Sequence, residues 1–153
     1  MGVRGTLTQI PSEIPRLLRE AREYDPSEQA LGVQYDWDSF PSVALDKAWR
    51  DFALVFKTIG PPLLCAIEGD YSSSGSIDAW DYAVSDYYIG YVSAEQVQGI
   101  AATLSELSYS DISSAFEQAG IEYDDYCQRC FGDLIGFYLE AAKKRSAVMI
   151  LIA

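Results

Sequence analysis

The spacing of apolar residues along the chain predicts both helices and strands, with a strand close to each end. Residues 3–10 alternate between apolar and polar side chains, and residues 146–153 form a continuous apolar run, so we predict a strand in each segment. Residues 43–59 place apolar side chains at helical spacing, which predicts an amphipathic helix capped by Ser42. We therefore predict an α+β fold in a single domain of residues 1–153, with a small mixed sheet packed against several helices.

Residues that favour helix starts predict further helices. Ser12, Ser93 and Ser110 each precede a segment of helical periodicity, and Ser93 opens the capping-box sequence S-A-E-Q. A long helix is predicted near the end of the chain, because it would have acidic residues at its start and basic residues at its end. The predicted helices cover residues 13–24, 94–107, 111–119 and 123–144, residues 63–69 are a short helix or strand, and residues 25–41 are an ordered loop.

Negative charge is concentrated in the middle of the chain. The net charge is −12, and no Lys or Arg occurs from residue 58 to residue 128, where twelve carboxylates lie. A folded region with charge of one sign attracts cations or basic proteins and repels nucleic acid and anionic membranes. We therefore predict a basic protein as the partner, with no binding to nucleic acid or to a membrane.

The chain contains no histidine, which restricts its chemistry. Ser-His-Asp triads, Cys-His pairs and histidine-bound metals are excluded, and no arrangement of the remaining reactive residues predicts a catalytic group, a metal site or a cofactor. The three cysteines are an odd number without a disulfide-rich pattern, and no stretch reaches the roughly 18 apolar residues of a membrane span. We therefore expect a cytoplasmic protein.

Residues 70–81 match the register of a calcium-binding loop. Oxygen-bearing side chains stand at positions 1, 3, 5, 9 and 12 of the template, and Gly75 stands at position 6. Positions 3 and 5 are Ser72 and Ser74, which are weak neutral ligands, and Asp81 at position 12 reaches less far than glutamate would. We predict a solvated loop before a helix, with a calcium site as the alternative.

Cys127 and Cys130 are spaced like a redox or zinc motif. A second such pair is missing, and residues three apart share one face of a helix, so we predict that both side chains pack into the core. Redox or metal-binding use is the alternative. Asp124 and Asp125 point apart on a helix, so we interpret them as favourable charge at a helix start and not as an acid–base pair.

Aromatic residues accompany the acidic ones between residues 70 and 91. Tyrosine and tryptophan offer large contact areas with a polar tip and are enriched at the centres of interfaces. We predict a surface for an arginine-rich partner here, and the alternative is that these aromatics are core and rim residues. The predicted partner-binding residues are Asp70, Asp78, Asp81, Asp86, Trp80, Tyr82, Tyr87 and Tyr88.

Five segments of the chain, in order, resemble one protein family. They are M-G-V-R-G at residues 1–5, L-D-K-A-W at 45–49, P-L-L-C-A-I-E-G at 62–69, I-G-Y-V-S-A-E-Q-V at 89–97, and F-Y-L-E-A-A at 137–142 with A-V-M-I at 147–150. Together they are similar to the YfbM-like proteins (domain of unknown function 1877). The resemblance implies an α+β domain without an established activity. It makes Asp46, Lys47 and Trp49 candidates for a shared family site, unless Trp49 is a core residue and Asp46 and Lys47 simply pair their charges.

Two hypotheses of function follow. In the first, the chain is a small acidic protein-binding module, such as an immunity-type inhibitor that occludes a basic toxin enzyme, because such an inhibitor needs carboxylates for fast association and aromatic anchors for slow dissociation. In the second, it is an enzyme or a small-ligand-binding protein with a pocket near Asp46, Lys47 and Trp49.

Overall fold

The computed structural model describes residues 3–15, 37–72 and 88–153 of the chain. In these residues five strands form one sheet in the order β2-β1-β5-β4-β3, and every neighbouring pair is antiparallel. The α+β prediction is therefore confirmed, but the mixed sheet is wrong, because no parallel pair occurs among the described strands. The strands are β1 (Gly5–Ile10), β2 (Ser42–Asp46), β3 (Tyr71–Ser72), β4 (Tyr88–Val92) and β5 (Ala147–Ile152).

Helices occupy most of the remaining described chain. They are α1 (Trp49–Ile59), α2 (Cys65–Glu68), α3 (Ala94–Glu106), α4 (Tyr109–Gln118) and α5 (Asp125–Lys143), with a short 3₁₀ helix at Trp37–Ser39. Within these ranges no helix combines the length and the apolar character that a membrane crossing requires. Of the predicted loop of residues 70–81, only residues 70–72 are described, and Tyr71–Ser72 form strand β3. Residues 73–81 and nearly all of the predicted helix of residues 13–24 lie outside the described residues.

The helix starts at α3 and α5 are confirmed by their caps. The Ser93 hydroxyl accepts a hydrogen bond from the Gln96 backbone N–H at 3.2 Å, and the Asp124 carboxylate accepts one from the Cys127 backbone N–H at 2.8 Å. Each cap satisfies a backbone donor that the first helical turn leaves free. Asp124 is thus a capping residue, as the sequence predicts.

Two predicted helix starts are wrong. Residues 42–46 form strand β2 and not the first turn of a helix, and α1 begins only at Trp49. The segment S-V-A-L-D also alternates, so pairing with the edge of β1 decides between two local patterns. In α4 the cap is Ser108 and not Ser110, because the Ser108 hydroxyl accepts from the Asp111 N–H at 3.1 Å and the Asp111 carboxylate accepts from the Ser108 N–H at 2.9 Å.

The two terminal strands pair in the interior of the sheet. Gly5 faces Ile152 and Ile10 faces Ala147, so the whole of β1 pairs with β5. The ladder continues beyond both strands, since Arg4 and Ala153 exchange backbone hydrogen bonds of 2.7 and 2.9 Å. The predicted strands at both ends of the chain are confirmed.

The main core lies on the face of the sheet that carries the helices. All five helices contribute buried side chains to it, and four phenylalanines meet at its centre. The Phe52 and Phe131 rings are 5.5 Å apart between centroids, and Phe116 meets Phe131 edge-on at 6.3 Å. Such edge-to-face contacts add to the free energy of burial. A smaller buried cluster on the opposite face contains Ile10, Ile14, Tyr91 and Ala147.

Cys127 and Cys130 belong to the main core, as predicted. They are 5% and 7% exposed. Burial, together with the nearby Asp124 carboxylate, raises the pKa of the Cys127 thiol to about 11. A thiol with a raised pKa is a poor nucleophile and a poor metal ligand near neutral pH, so Cys127 serves packing.

Two tyrosine hydroxyls satisfy the carbonyl groups of the four-residue helix α2. Tyr88 donates to the Glu68 carbonyl at 2.7 Å, and Tyr138 donates to the Ala66 carbonyl at 2.6 Å. The last carbonyls of a helix have no partner within it, and a helix this short consists almost entirely of such ends. Strand β4 and helix α5 therefore hold α2 in place through these hydroxyls.

Glycines allow α2 and β4 to come into backbone contact. A Cβ atom at Gly90 would lie 2.3 Å from the Glu68 carbonyl oxygen, and a Cβ at Gly69 would lie 2.8 Å from the Tyr91 backbone nitrogen. Gly69 also has a φ of +87°, which other residues rarely adopt. Both positions require glycine because the neighbouring atoms are backbone atoms, which cannot move aside.

We expect Gly90→Ala to lower the free energy of unfolding by at least about 2 kcal/mol, because the added methyl must displace the Glu68 backbone. Urea unfolding followed by far-UV circular dichroism measures the change. Gly99→Ala in α3 is the matched control, since a Cβ there meets nothing within 4 Å; it should raise stability by up to about 1 kcal/mol. Equal effects of the two substitutions would contradict the close contact.

Candidate functional site

Asp46 joins three elements of the fold at one corner of the sheet. It ends β2 at a φ of +49°, next to the irregularity in the β1–β2 register between Gly5 and Thr6. One carboxylate oxygen lies 3.1 Å from Arg4 Nε, and the other accepts a hydrogen bond from the Tyr126 hydroxyl at 3.2 Å. Asp46 thus links the start of β1 and the start of α5. Both partners are distant in sequence, and no local pattern indicates either of them.

The Asp46 corner is only partly shielded from solvent. The Arg4 and Asp46 side chains are 72% and 46% exposed, so this ion pair contributes less than about 1 kcal/mol. The contact is close enough for an ion pair, but Asp46 Oδ1 receives no hydrogen bond of acceptable geometry. Desolvation raises the pKa of Tyr126 to about 12, and the neighbouring Cys130 and Asp46 add to this effect. Tyr126 is therefore a neutral hydrogen-bond donor at physiological pH.

Trp49 is a core residue. It is 6% exposed, and its indole N–H donates to the Val3 carbonyl at 3.1 Å. Gly5 lies directly beneath it, because a Cβ there would lie 2.8 Å from the Trp49 Cβ. The Arg50 guanidinium stands 5.3 Å from the centre of the Trp49 ring. Trp49 therefore anchors the start of α1 on β1 and offers little surface to a ligand.

Lys47 lies in the exposed turn between β2 and α1. The ion pair of Asp46 is with Arg4, so the alternative of a simple Asp46–Lys47 pair is not the arrangement in the structure. Of the three residues proposed for a shared family site, one is buried, one is in an ion pair and one is exposed.

A groove of about 370 Å³ opens elsewhere, between the start of α3 and the end of α5. It is lined by Ala94, Glu95, Gln98 and Arg145. The Gln98 amide already donates to the Ala142 carbonyl at 2.7 Å. Arg145 lies next to the start of β5, whereas the Asp46 corner lies beside its end, and five residue steps of an antiparallel strand separate these ends by roughly 17 Å. This groove is therefore not a pocket beside Asp46 and Trp49.

Helix α4 and its flanking residues carry four exposed carboxylates and an exposed tyrosine. We call Glu106, Tyr109, Asp111, Glu117 and Glu122 the acidic α4 surface; all five are exposed. Tyr109 is the most exposed of the large hydrophobic residues described, at 64%. Its ring lies 5.8 Å from that of Tyr123, which in turn lies 4.5 Å from the buried Phe116. The exposed Tyr109 ring is thus packed against Tyr123, which in turn packs against the core.

Two of the eight predicted partner-binding residues lie in the described chain. Asp70 is exposed, and its carboxylate accepts a hydrogen bond from the Ser93 backbone N–H at 3.2 Å, next to the start of α3. Tyr88 is 0% exposed, so as a partner-binding residue it is a wrong prediction: its side chain packs into the main core. Outside the described residues lie Asp78, Trp80, Asp81, Tyr82, Asp86 and Tyr87.

Acidic residues of the described chain do not assemble into a metal site. Among residues 3–15, 37–72 and 88–153, no three His, Cys, Asp or Glu side chains are arranged to hold an ion. The carboxylates of the acidic α4 surface instead point to solvent along one helix and its flanking turns.

Comparison with known proteins identifies the family. The sequence profile described as Domain of unknown function (DUF1877) matches residues 1–151. The chain belongs to this family. A search of curated proteins finds no match. Among solved structures, the chain is similar to YfbM from Escherichia coli, a protein of unknown function, with a TM-score of 0.58 and 16% identity over 98% of this chain and 99% of that chain. At this identity the likeness shows a shared fold.

The segments that resemble other DUF1877 proteins pack against one another. Gly5 of the first segment lies under Trp49 of the second, and Glu68 of the third lies against Gly90 of the fourth. Tyr138 of the fifth donates its hydroxyl to Ala66 of the third. Packing between segments is therefore a sufficient physical reason for these residues.

The burial of Tyr88 predicts how stability depends on pH. Burial raises the pKa of Tyr88 to about 12 from an ordinary value of 10.0, with a smaller contribution from the Glu68 charge. Because the raised pKa belongs to the folded state, the stabilisation is complete below pH 10 and is lost as the pH rises towards 12. We expect Tyr88→Phe to reduce the fall in unfolding free energy above pH 10, as measured by urea unfolding at several pH values.

An unchanged fall in the unfolding free energy between pH 10 and pH 12 in the Tyr88→Phe variant would contradict the assignment to Tyr88.

Proposed function

We propose that this DUF1877 protein is a small acidic protein-binding module, and that it occludes a basic partner in the manner of an immunity-type inhibitor of a toxin enzyme. The observation that supports this most strongly is the acidic α4 surface, where four exposed carboxylates and the 64% exposed Tyr109 lie on or next to one helix. No Lys or Arg lies in the sequence from residue 58 to residue 128 to neutralise them from within this segment.

The charge of this surface suits fast association. A surface of one sign steers an oppositely charged partner and raises the association rate, whereas buried aromatic anchors mainly slow dissociation. Glu106, Asp111, Glu117 and Glu122 supply the charge, and Tyr109 supplies the anchor.

The support beneath the surface is rigid. Helix α4 has a reciprocal capping box between Ser108 and Asp111, and hydrogen bonds from Ser108 lower the pKa of the Asp111 carboxyl, so that this group stays charged. Phe116 fixes the other side of the helix in the core at 0% exposure. A surface that is ordered before binding loses less entropy when the partner arrives.

The test is capture of a partner from native lysate at low salt, followed by a salt step and quantitative mass spectrometry. We expect one basic protein in stoichiometric amount with the wild-type chain, and its loss with the Glu106→Lys/Glu117→Lys variant, which leaves the Ser108–Asp111 capping box intact. With the purified partner, the variant should associate at least about tenfold more slowly, because steering is lost.

The matched control is Asp38→Lys/Asp133→Lys, which changes the net charge equally at two exposed positions outside α4. This control should retain the partner. If both variants captured the same protein equally, or if the wild-type eluate were empty, the acidic α4 surface would not be the binding site. The melting temperature of each variant confirms that it is folded.

A further inference from the structure

The outer face of α5 is a helix surface without a partner in the described chain. It consists of Asp125, Arg129, Gly132, Gly136, Leu139 and Lys143, which are all exposed. At 3.6 residues per turn these residues lie opposite the buried side of the helix, which is centred on Leu134. The remainder of α5 packs into the core, so this strip is the part of the helix that solvent covers.

Two glycines lie in the middle of this face, and no described atom packs against either of them. A Cβ at Gly132 or at Gly136 would meet nothing within 4 Å. Glycine in a helix interior costs about 1 kcal/mol relative to alanine. Glycine is also the residue that lets a second backbone approach most closely.

An apolar side chain adjoins the glycines. Leu139 is 42% exposed and lies three residues after Gly136, on the same strip of the helix. Leucine beside two glycines forms a knob next to a shallow depression, a shape that can fit the same shape on another helix.

The charges on this face are complementary to those of a second, antiparallel copy. Asp125 and Lys143 lie nine residues before and nine residues after Leu134, so a twofold axis at that point brings Asp125 of each copy to Lys143 of the other. The same operation sets Gly132 against Gly136. It also sets Arg129 against Leu139 of the second copy, while Glu140 is in an ion pair with Lys144 of its own chain at 2.6 Å.

We propose that the outer face of α5 is a dimer interface, at which two copies of the chain pack their α5 helices antiparallel. The twofold axis crosses the helix pair at the level of Leu134, whose own side chain lies on the buried side of the helix. The contact is isologous: each copy contributes the same glycines, the same leucine and both members of the Asp125–Lys143 charge pair. This interface is separate from the acidic α4 surface and does not depend on the proposed function.

The size of the contact predicts a weak dimer. Helix α5 has 19 residues, which corresponds to about 28 Å of length. A single helix pair is at the small end of specific interfaces, so we expect a dissociation constant in the micromolar range.

Sedimentation equilibrium and light scattering over a range of concentrations test the proposal. We expect a monomer–dimer equilibrium, and we expect Gly132→Gln/Gly136→Gln to weaken it at least about tenfold, because the new side chains keep the backbones apart. Glutamine favours helix, so the melting temperature of this variant should not fall. Ala102→Gln/Ser114→Gln, at exposed positions in α3 and α4, is the matched control and should dimerise normally.

A charge exchange tests the antiparallel arrangement. Asp125→Lys alone should weaken the dimer, because it places like charges together, whereas Asp125→Lys/Lys143→Asp should restore it. A monomer at all concentrations up to about 1 mM, a dimer unaffected by the glycine substitutions, or a double charge variant no tighter than the single one would each overturn the proposal.

Discussion

The pairing of β1 with β5 is the interaction on which the rest of the fold depends. These strands come from opposite ends of the chain, yet they lie side by side within the sheet, with every residue from Gly5 to Ile10 in register. Strands β2 and β4 each pair with one of them, on its other edge. Because β1 and β5 are far apart in sequence, the complete sheet depends on a long-range contact.

Helix α2 shows how this arrangement constrains the residues around it. It has only four residues and cannot satisfy its own carbonyl groups, so Tyr88 and Tyr138 supply donors from β4 and α5. Gly69 and Gly90 let the backbones of α2 and β4 approach closely, which brings the Tyr88 hydroxyl to the Glu68 carbonyl. Contacts within the fold thus account for these glycines and tyrosines without a catalytic role.

Exposure separates the residues that support the fold from those available to a partner. Trp49 and Tyr88 are aromatic residues near charged ones, and both are in the core. Tyr109 has the same local character, but its side chain is exposed, and exposed carboxylates lie on the same helix and next to it. The acidic module that we propose therefore rests on α4. Of the residues first expected to bind the partner, Tyr88 is buried, Asp70 accepts a hydrogen bond from the Ser93 N–H, and the other six lie outside the described chain.

The sequence by itself determined the fold class, both terminal strands, the starts of α3 and α5 and the packing of Cys127 and Cys130, because these follow from periodicity and from capping within a few residues. Tertiary structure alone decided the rest. Strand β2 replaced a predicted helical turn because its pattern fits both structures and β1 offered an edge. The Tyr126 hydroxyl donates a hydrogen bond to Asp46, which lies 80 positions earlier in the chain, and the Tyr88 side chain is buried in the core. Local sequence patterns cannot predict these contacts, because each is stabilised by atoms from distant parts of the chain that only folding brings together.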